Sequence, residues 1–299
     1  NIMENEPFFQ RVALGSASVI FMVFLLDKND SKLYLEEYFL APIQFISETV
    51  ELIKEDSQNL PKHQMVLLLL QATLSLLPPY VKKRPNLDDG FVTKLVYMFS
   101  DLLMSNFLYT AGNIQLQNCL ENIKSISTQV LVTIFEKLPE QRMFIIDELL
   151  SRLESLPMTR SQKKLKCINN SLYSTHFTFT LVSMLQTINS YDYCSRIDEL
   201  NEDALADVSS YHQELQNALN ADIHHINEVV LNKCFHNVSK YRYILENYTQ
   251  DLLAMVLYPN WSISEIILDS LLKKLLLVFS PSQQRTANVE AFALQIAGN

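Results

Sequence analysis

Apolar residues recur at spacings of three and four along almost the whole chain, and sustained alternation of period two is hard to find. Such spacing lays one apolar stripe along each successive helix, so the chain is predicted to be all-α. Breakers divide it into helical blocks at 5–26, 32–55, 61–78, 91–108, 114–138, 140–156, 168–189, 197–220, 222–236, 240–257, 262–279 and 284–298. Asp30-Ser31 can cap the block at Lys32, Pro61 opens the next, and Ser262 with Glu265 has capping-box spacing. The predicted stops are mostly proline: Pro78-Pro79, Pro139, Pro157, Pro259 and Pro281. Helices of roughly 15 to 24 residues, paired about every 40 to 50 residues, match a HEAT/armadillo-like α-solenoid of antiparallel helix pairs. No exact repeat motif recurs, and a non-repeating helical domain is the alternative. Residues 1–299 are expected to form one continuous HEAT-repeat segment cut from a larger protein, with a basic inter-helix loop at about 157–167.

Glycine excludes several chemistries. The chain has 4 glycines in 299 residues, Gly15, Gly90, Gly112 and Gly298, all far apart. A phosphate-cradling loop needs clustered glycines to bring backbone N–H groups onto the phosphates, so Walker, dinucleotide-binding and kinase glycine loops are absent. Neither a G-x-S-x-G elbow nor a cysteine in a recognisable nucleophile signature occurs. Acidic pairs such as Glu36-Glu37 and Asp147-Glu148 lie on helical stretches, where neighbours diverge by about 100°, and read as solvated faces. His224, His225, Cys234 and His236 form the one cluster of zinc-ligand residue types, without the paired spacing a structural site requires. No enzyme, metal or cofactor is expected.

Cys119, Cys167, Cys194 and Cys234 are widely spaced in a chain with ample apolar core, which favours free thiols in a reducing compartment. Five sequons, at Asn29, Asn169, Asn237, Asn247 and Asn260, are read as chance matches in a chain rich in Asn, Ser and Thr. The charge-free apolar runs Val12–Leu26 and Gln64–Leu77 fall short of the ~20 residues that span a bilayer, and Cys167–Tyr191 opens with too many polar groups. These runs are read as buried helices, with no membrane partner.

The net charge is −9, so a nucleic-acid contact has to be a local basic patch. From Arg152 to Lys166 there are five cations, Arg152, Arg160, Lys163, Lys164 and Lys166, against one acid, Glu154. Thr159, Ser161 and Gln162 add neutral donors in the same loop. Lys82-Lys83-Arg84, between Pro79 and Pro85, is a second, shorter cluster. An exposed linker kept soluble by lysine is the competing reading for either. Trp261, the single tryptophan, stands at a helix entrance, where it is read as a hydrophobic staple fixing the angle between consecutive helices.

The local sequence is more specific than the composition. Tyr258-Pro259-Asn260-Trp261-Ser262-Ile263-Ser264-Glu265-Ile266-Ile267-Leu268 resembles the Leu-Pro-Glu-Trp-Pro-Ala-Ala-Glu-Leu-Leu-Leu segment of the Nipped-B/adherin family of cohesin loaders, with Pro259, Trp261, Glu265 and Leu268 in register. Upstream, Phe135-Glu136-Lys137-Leu138-Pro139-Glu140-Gln141-Arg142, then Ile146–Leu150, then Leu156-Pro157 and the basic loop, resemble that family's Phe-Asp-Lys-Leu-Pro-x-Gln-Arg block in the same order. With Leu271–Ala291, the resemblance covers about a third of the chain. Tyr258, Asn260 and Ser262 depart from the commoner Leu, Glu and Pro, which points to a divergent, fungal member, and the basic run ends in Cys167-Ile168-Asn169 where relatives often continue with arginine.

The resemblance implies a HEAT-repeat segment of a nuclear, chromatin-associated protein that loads the cohesin ring onto DNA. It further implies contacts with kleisin and SMC heads that stimulate the SMC ATPase, and a separate helical-repeat loader partner engaged outside this segment. Under that reading Arg160, Lys163, Lys164 and Lys166, with Lys82, Lys83 and Arg84, are the expected contacts to double-stranded DNA, without sequence specificity because phosphate contacts read no base edges. Two other classes compete. A karyopherin-like HEAT transport receptor would bind protein cargo and Ran in place of DNA, and an accessory region of an enzyme would show turnover in the longer chain without cohesin.

Overall fold

Short polar side chains start four of the described helices, at Asp88, Asn113, Thr175 and Asn237, and serine hydroxyls or long cations bond the last carbonyls of several. The structure, a computed structural model, describes residues 13, 15–19, 36–84, 86–105, 113–156, 165–167, 172–189, 208–278, 290, 291, 293, 294 and 296. Arg160, Lys163, Lys164 and the caps at Asp30-Ser31 lie outside them. The chain divides into two compact units, Asn1–Leu156 and Pro157–Asn299.

The first unit contains α1 (Glu36–Glu55), α2 (Gln64–Leu74), α3 (Leu77–Lys83), α4 (Asp89–Met104), α5 (Ile114–Lys137) and α6 (Arg142–Ser151). The Asp88 carboxylate accepts the Phe91 N–H at 3.1 Å and starts α4, while the Asn113 side chain accepts the Leu116 N–H at 3.0 Å and starts α5. Helix α5 is the centre of the unit: it packs on α2, α3 and α4, burying Leu120, Ile123, Val130, Leu131, Ile134 and Phe135. Gly15 explains one of the four glycines, because a Cβ there would stand 2.7 Å from Cδ1 of Phe45 on α1. The run Leu60–Lys83, which takes in α2 and α3, is long and apolar enough by length and composition to cross a bilayer, with mean hydropathy 1.4, which the shorter charge-free run did not suggest. Its apolar residues nevertheless have protein neighbours: Leu67, Leu70, Leu74, Leu77 and Val81 are all buried in this unit.

The second unit contains the strands β1 (Leu165–Cys167) and β2 (Leu172–Ser174), then α7 (His176–Asn189), α8 (Val208–His236), α9 (Val238–Met255) and α10 (Ile263–Val278). Asn237 alone separates α8 from α9, and its side chain accepts the Lys240 N–H at 3.2 Å. So short a connection keeps α8 and α9 adjacent, and the two helices pack on each other. Helix α8 packs on α7, α9 and α10, and β2 rests on α9. A buried polar relay ties three helices together: the Tyr248 hydroxyl donates to Oδ1 of Asn227 at 2.9 Å, and Nδ2 of Asn227 donates to the Ile267 carbonyl at 3.3 Å. Burial pushes the Tyr248 phenol far above its ordinary range, so the hydroxyl stays a donor.

Several sequence expectations are corrected. Pro78 and Pro79 do not stop a helix; they sit in the first turn of α3, where a missing N–H costs no helical bond. The blocks 197–220 and 222–236 are not separate, since Val208–His236 is one 29-residue helix and Asn220-Ala221-Asp222 contains no residue that breaks one. Within the block beginning at 168, residues Leu172–Ser174 form a strand paired antiparallel with Leu165–Cys167, and the helix starts at His176. Thr175 sets that start. Its N–H and its hydroxyl both donate to Oδ2 of the fully buried Asp251 at 2.8 Å, and its hydroxyl oxygen accepts the Thr178 N–H at 3.4 Å. At Ser262, where the sequence predicts a capping box, the bond shown is a backbone one, the Glu265 N–H donating to the Ser262 carbonyl at 3.2 Å.

Cys119 and Cys234 are free and buried, and burial pushes their thiols up to about 11 and about 12. Both are poor nucleophiles near neutrality. Asn247 is buried as well, so its sequon is not a surface acceptor.

Asp251→Ala leaves the Thr175 N–H and hydroxyl without their buried acceptor. We expect a loss of about 2–4 kcal/mol in urea unfolding, since each unmet buried polar group costs roughly 1–3 kcal/mol.

Candidate functional site

The shorter basic cluster lies where α3 ends. Lys82 and Lys83 occupy its last turn and are exposed, a placement the helix dipole favours. Arg84 is the C-cap residue and turns inward. Its guanidinium bonds the Tyr80 hydroxyl, Nε donates to the Asn86 carbonyl at 2.9 Å, and the group lies 5.8 Å from the centre of the Tyr80 ring. The cluster therefore separates by role: two lysines face water, and the arginine closes the turn.

A further cation reaches the same turn from α5. The Lys137 ammonium donates to the carbonyls of Val81, at 2.9 Å, and Arg84, capping the end of α3 across 56 and 53 residues of sequence. Partial burial, and then the charge of Arg84, pull the Lys137 ammonium below the usual lysine range. Immediately downstream, Arg142 performs the same service for α5. Its Nε donates to the Phe135 carbonyl at 3.1 Å, and its guanidinium stands 5.3 Å from the centre of the fully buried Phe135 ring. Leu138 and Pro139 turn the chain between them through the 3-10 segment Pro139–Gln141. Phe135, Lys137, Leu138, Pro139 and Arg142 thus form one clamp on the ends of two helices.

Arg152, which the sequence groups with the larger basic cluster, is committed elsewhere. It bonds Asp101 at 2.6 Å and Glu148 at 2.5 Å, and Asp101 also takes Lys54 at 2.5 Å. This network joins α1, α4 and the end of α6, so the cations of the run are those from Arg160 onward. Arg160, Lys163 and Lys164 lie outside the described residues. Lys166 is placed by its backbone in β1, opposite Tyr173 of β2.

At the entrance to α10, Pro259 opens a 3-10 turn ending at Trp261. The indole is buried and meets Phe179 of α7 edge-on, with ring centres 5.4 Å apart. The Ile263 N–H donates to Oε1 of Gln186, also on α7, at 3.4 Å. Glu265 is exposed in the first turn of α10.

Between α8 and α10 runs a groove of about 240 Å³ lined by His224, Glu228, Ser270, Lys273 and Lys274. Its polar groups pair across or along the helices: His224 Nδ1 with the Ser270 hydroxyl, Lys274 with Oδ1 of Asn232 at 2.5 Å, and Lys273 with Asp269 at 2.6 Å. Among the described residues no group of three or more His, Cys, Asp or Glu comes together as a metal site.

These features define a class, a HEAT-type helical segment whose most distinctive side chains hold helix ends. No family model matches the chain. It is 41% identical over 296 residues, 99% of its length, to Sister chromatid cohesion protein 2 of Saccharomyces cerevisiae, and it spans 20% of that relative. Over 184 residues, 56% of this chain and 6% of the relative, it is 25% identical to Nipped-B-like protein B of Danio rerio. A solved structure, the Chaetomium thermophilum cohesin loader SCC2 C-terminal fragment, shares the fold with a TM-score of 0.68 at 19% identity, over 96% of this chain and 23% of that one. The chain belongs to the Nipped-B/adherin family, as a segment matching about a fifth of a relative's length.

Lys137→Met removes the ammonium from two helix-end carbonyls and is expected to cost about 1–3 kcal/mol in urea unfolding. The exposed pair Lys82→Gln/Lys83→Gln loses only the charge–dipole contribution and should cost no more than about 1 kcal/mol.

Proposed function

We propose that this chain is a non-catalytic scaffold segment of a nuclear, chromatin-associated cohesin loader. Its two compact units are consecutive stretches of one HEAT-repeat segment in a larger protein. The segment binds double-stranded DNA without sequence specificity and contacts the kleisin and SMC subunits of cohesin, promoting ring loading and stimulating the ring's ATPase. A helical-repeat loader partner joins through a region outside it.

The observation that carries this reading is the 41% identity over 99% of the chain to a sister chromatid cohesion protein. Charge supports the DNA part. The chain is acidic overall, yet Lys82 and Lys83 stand exposed at a helix end, and the run from Arg160 to Lys166 contains four cations and no acid. Cations gathered against an acidic background give a local field that a phosphate backbone can find.

Lys163→Glu/Lys164→Glu/Lys166→Glu tests the loop. Fluorescence anisotropy with a short duplex across a salt series should show weaker binding and a log–log salt slope shallower by about 0.9 for each phosphate no longer neutralised. No binding by the parent at low salt, or equal binding by the variant, would overturn the DNA assignment.

A further inference from the structure

The hairpin presents one aromatic side chain to solvent from a rigid footing. Tyr173 is 48% exposed, whereas Leu172 and Ser174 on either side are 3% and 0% exposed. That alternation marks a strand with one buried face, and the strand rests on α9. The next residue but one, Thr175, is fixed by its two 2.8 Å bonds to the buried Asp251 carboxylate. Tyr173 is therefore held two residues from a buried anchor, and it gives up little further freedom when something binds it.

A single exposed tyrosine is ordinary; its register is not. The ladder sets Tyr173 opposite Lys166, the last cation of the run that begins at Arg160. Positions opposed on an antiparallel ladder share one face of the sheet. The Lys166 and Tyr173 positions thus share one face of the strand pair, in a stretch whose sequence from Arg160 to Lys166 carries four cations and no acid, and charge complementarity selects a polyanion as the occupant.

We propose that Tyr173 is a non-ionic contact of this chain with the sugar–phosphate backbone of duplex DNA. Its ring lies against a deoxyribose, and its hydroxyl donates to a phosphate oxygen. The inference rests on the DNA-binding reading above and deepens it by adding a contact of a different physical kind. A neutral donor releases no counterion, so it adds affinity without adding salt dependence, whereas each lysine adds both.

Duplex anisotropy across a salt series separates the two contributions in the full 299-residue chain. Tyr173→Ala should bind about tenfold more weakly at every salt concentration, as expected for removal of a hydrogen bond to a charged group together with the ring, with the parent's log–log slope. Tyr173→Phe keeps the ring and should lose only part of that affinity. If both tyrosine variants bind as the parent does while the triple lysine variant is impaired, the tyrosine contact is overturned and the DNA reading stands. A shallower slope in Tyr173→Ala would also overturn the non-ionic role. If the parent binds no duplex at low salt, both fall, and an acidic protein surface becomes the occupant of this face.

Discussion

Backbone carbonyls at helix C-termini have no partner within their own helix, and a chain with four glycines cannot close many helices with the left-handed glycine cap that usually provides one. The fold depends on how that constraint is met. Serine hydroxyls turn back onto the preceding turn at Ser75, Ser105 and Ser151, donating to the carbonyls of Ala72, Asp101 and Glu148. Where the end lies against another helix, a long cation reaches in: Lys137 closes α3 and Arg142 closes α5. Without these bonds, carbonyls at helix junctions would lie partly buried and unmet, at a cost comparable to much of a domain's net stability when summed.

The same economy sorts the cations of the chain. Arg84, Lys137, Arg142 and Arg152 have their charges turned to carbonyls, aromatic rings or carboxylates of the first unit. Lys82 and Lys83 face solvent, as a contact to a polyanion requires. The segments that make the family visible, Phe135–Arg142 and Pro259–Trp261, belong to the first kind of residue: they fix helix ends and helix entrances. The proposed binding residues, by contrast, are read from charge and, at Lys82 and Lys83, from exposure.

The helical class is legible in the sequence because a three-and-four spacing persists through long blocks, and the expected block 114–138, stopped by Pro139, matches α5 to within one residue. The break expected near residue 221 does not occur because polar side chains alone do not interrupt a helix. The hairpin is invisible in the sequence because three-residue strands are too short to show a period of two, and what ends it is a carboxylate 76 residues away. Arg152 reads as a free cation because sequence cannot show that Asp101, 51 residues upstream, neutralises it. Lys137 stands in a recognisable motif, but its role depends on a turn more than 50 residues earlier. Tyr173 escapes notice for a related reason, since only the register of a strand pair sets it opposite Lys166.

Amide hydrogen exchange of the 299-residue chain, with and without a short duplex at low salt, tests most directly the claim that exposed cations bind while motif residues hold the fold. The account predicts added protection confined to the stretches 158–174 and 82–86, with 135–142 and 258–268 unchanged. Protection at the Pro259–Trp261 entrance or along the groove between α8 and α10, with none in the hairpin, would contradict it.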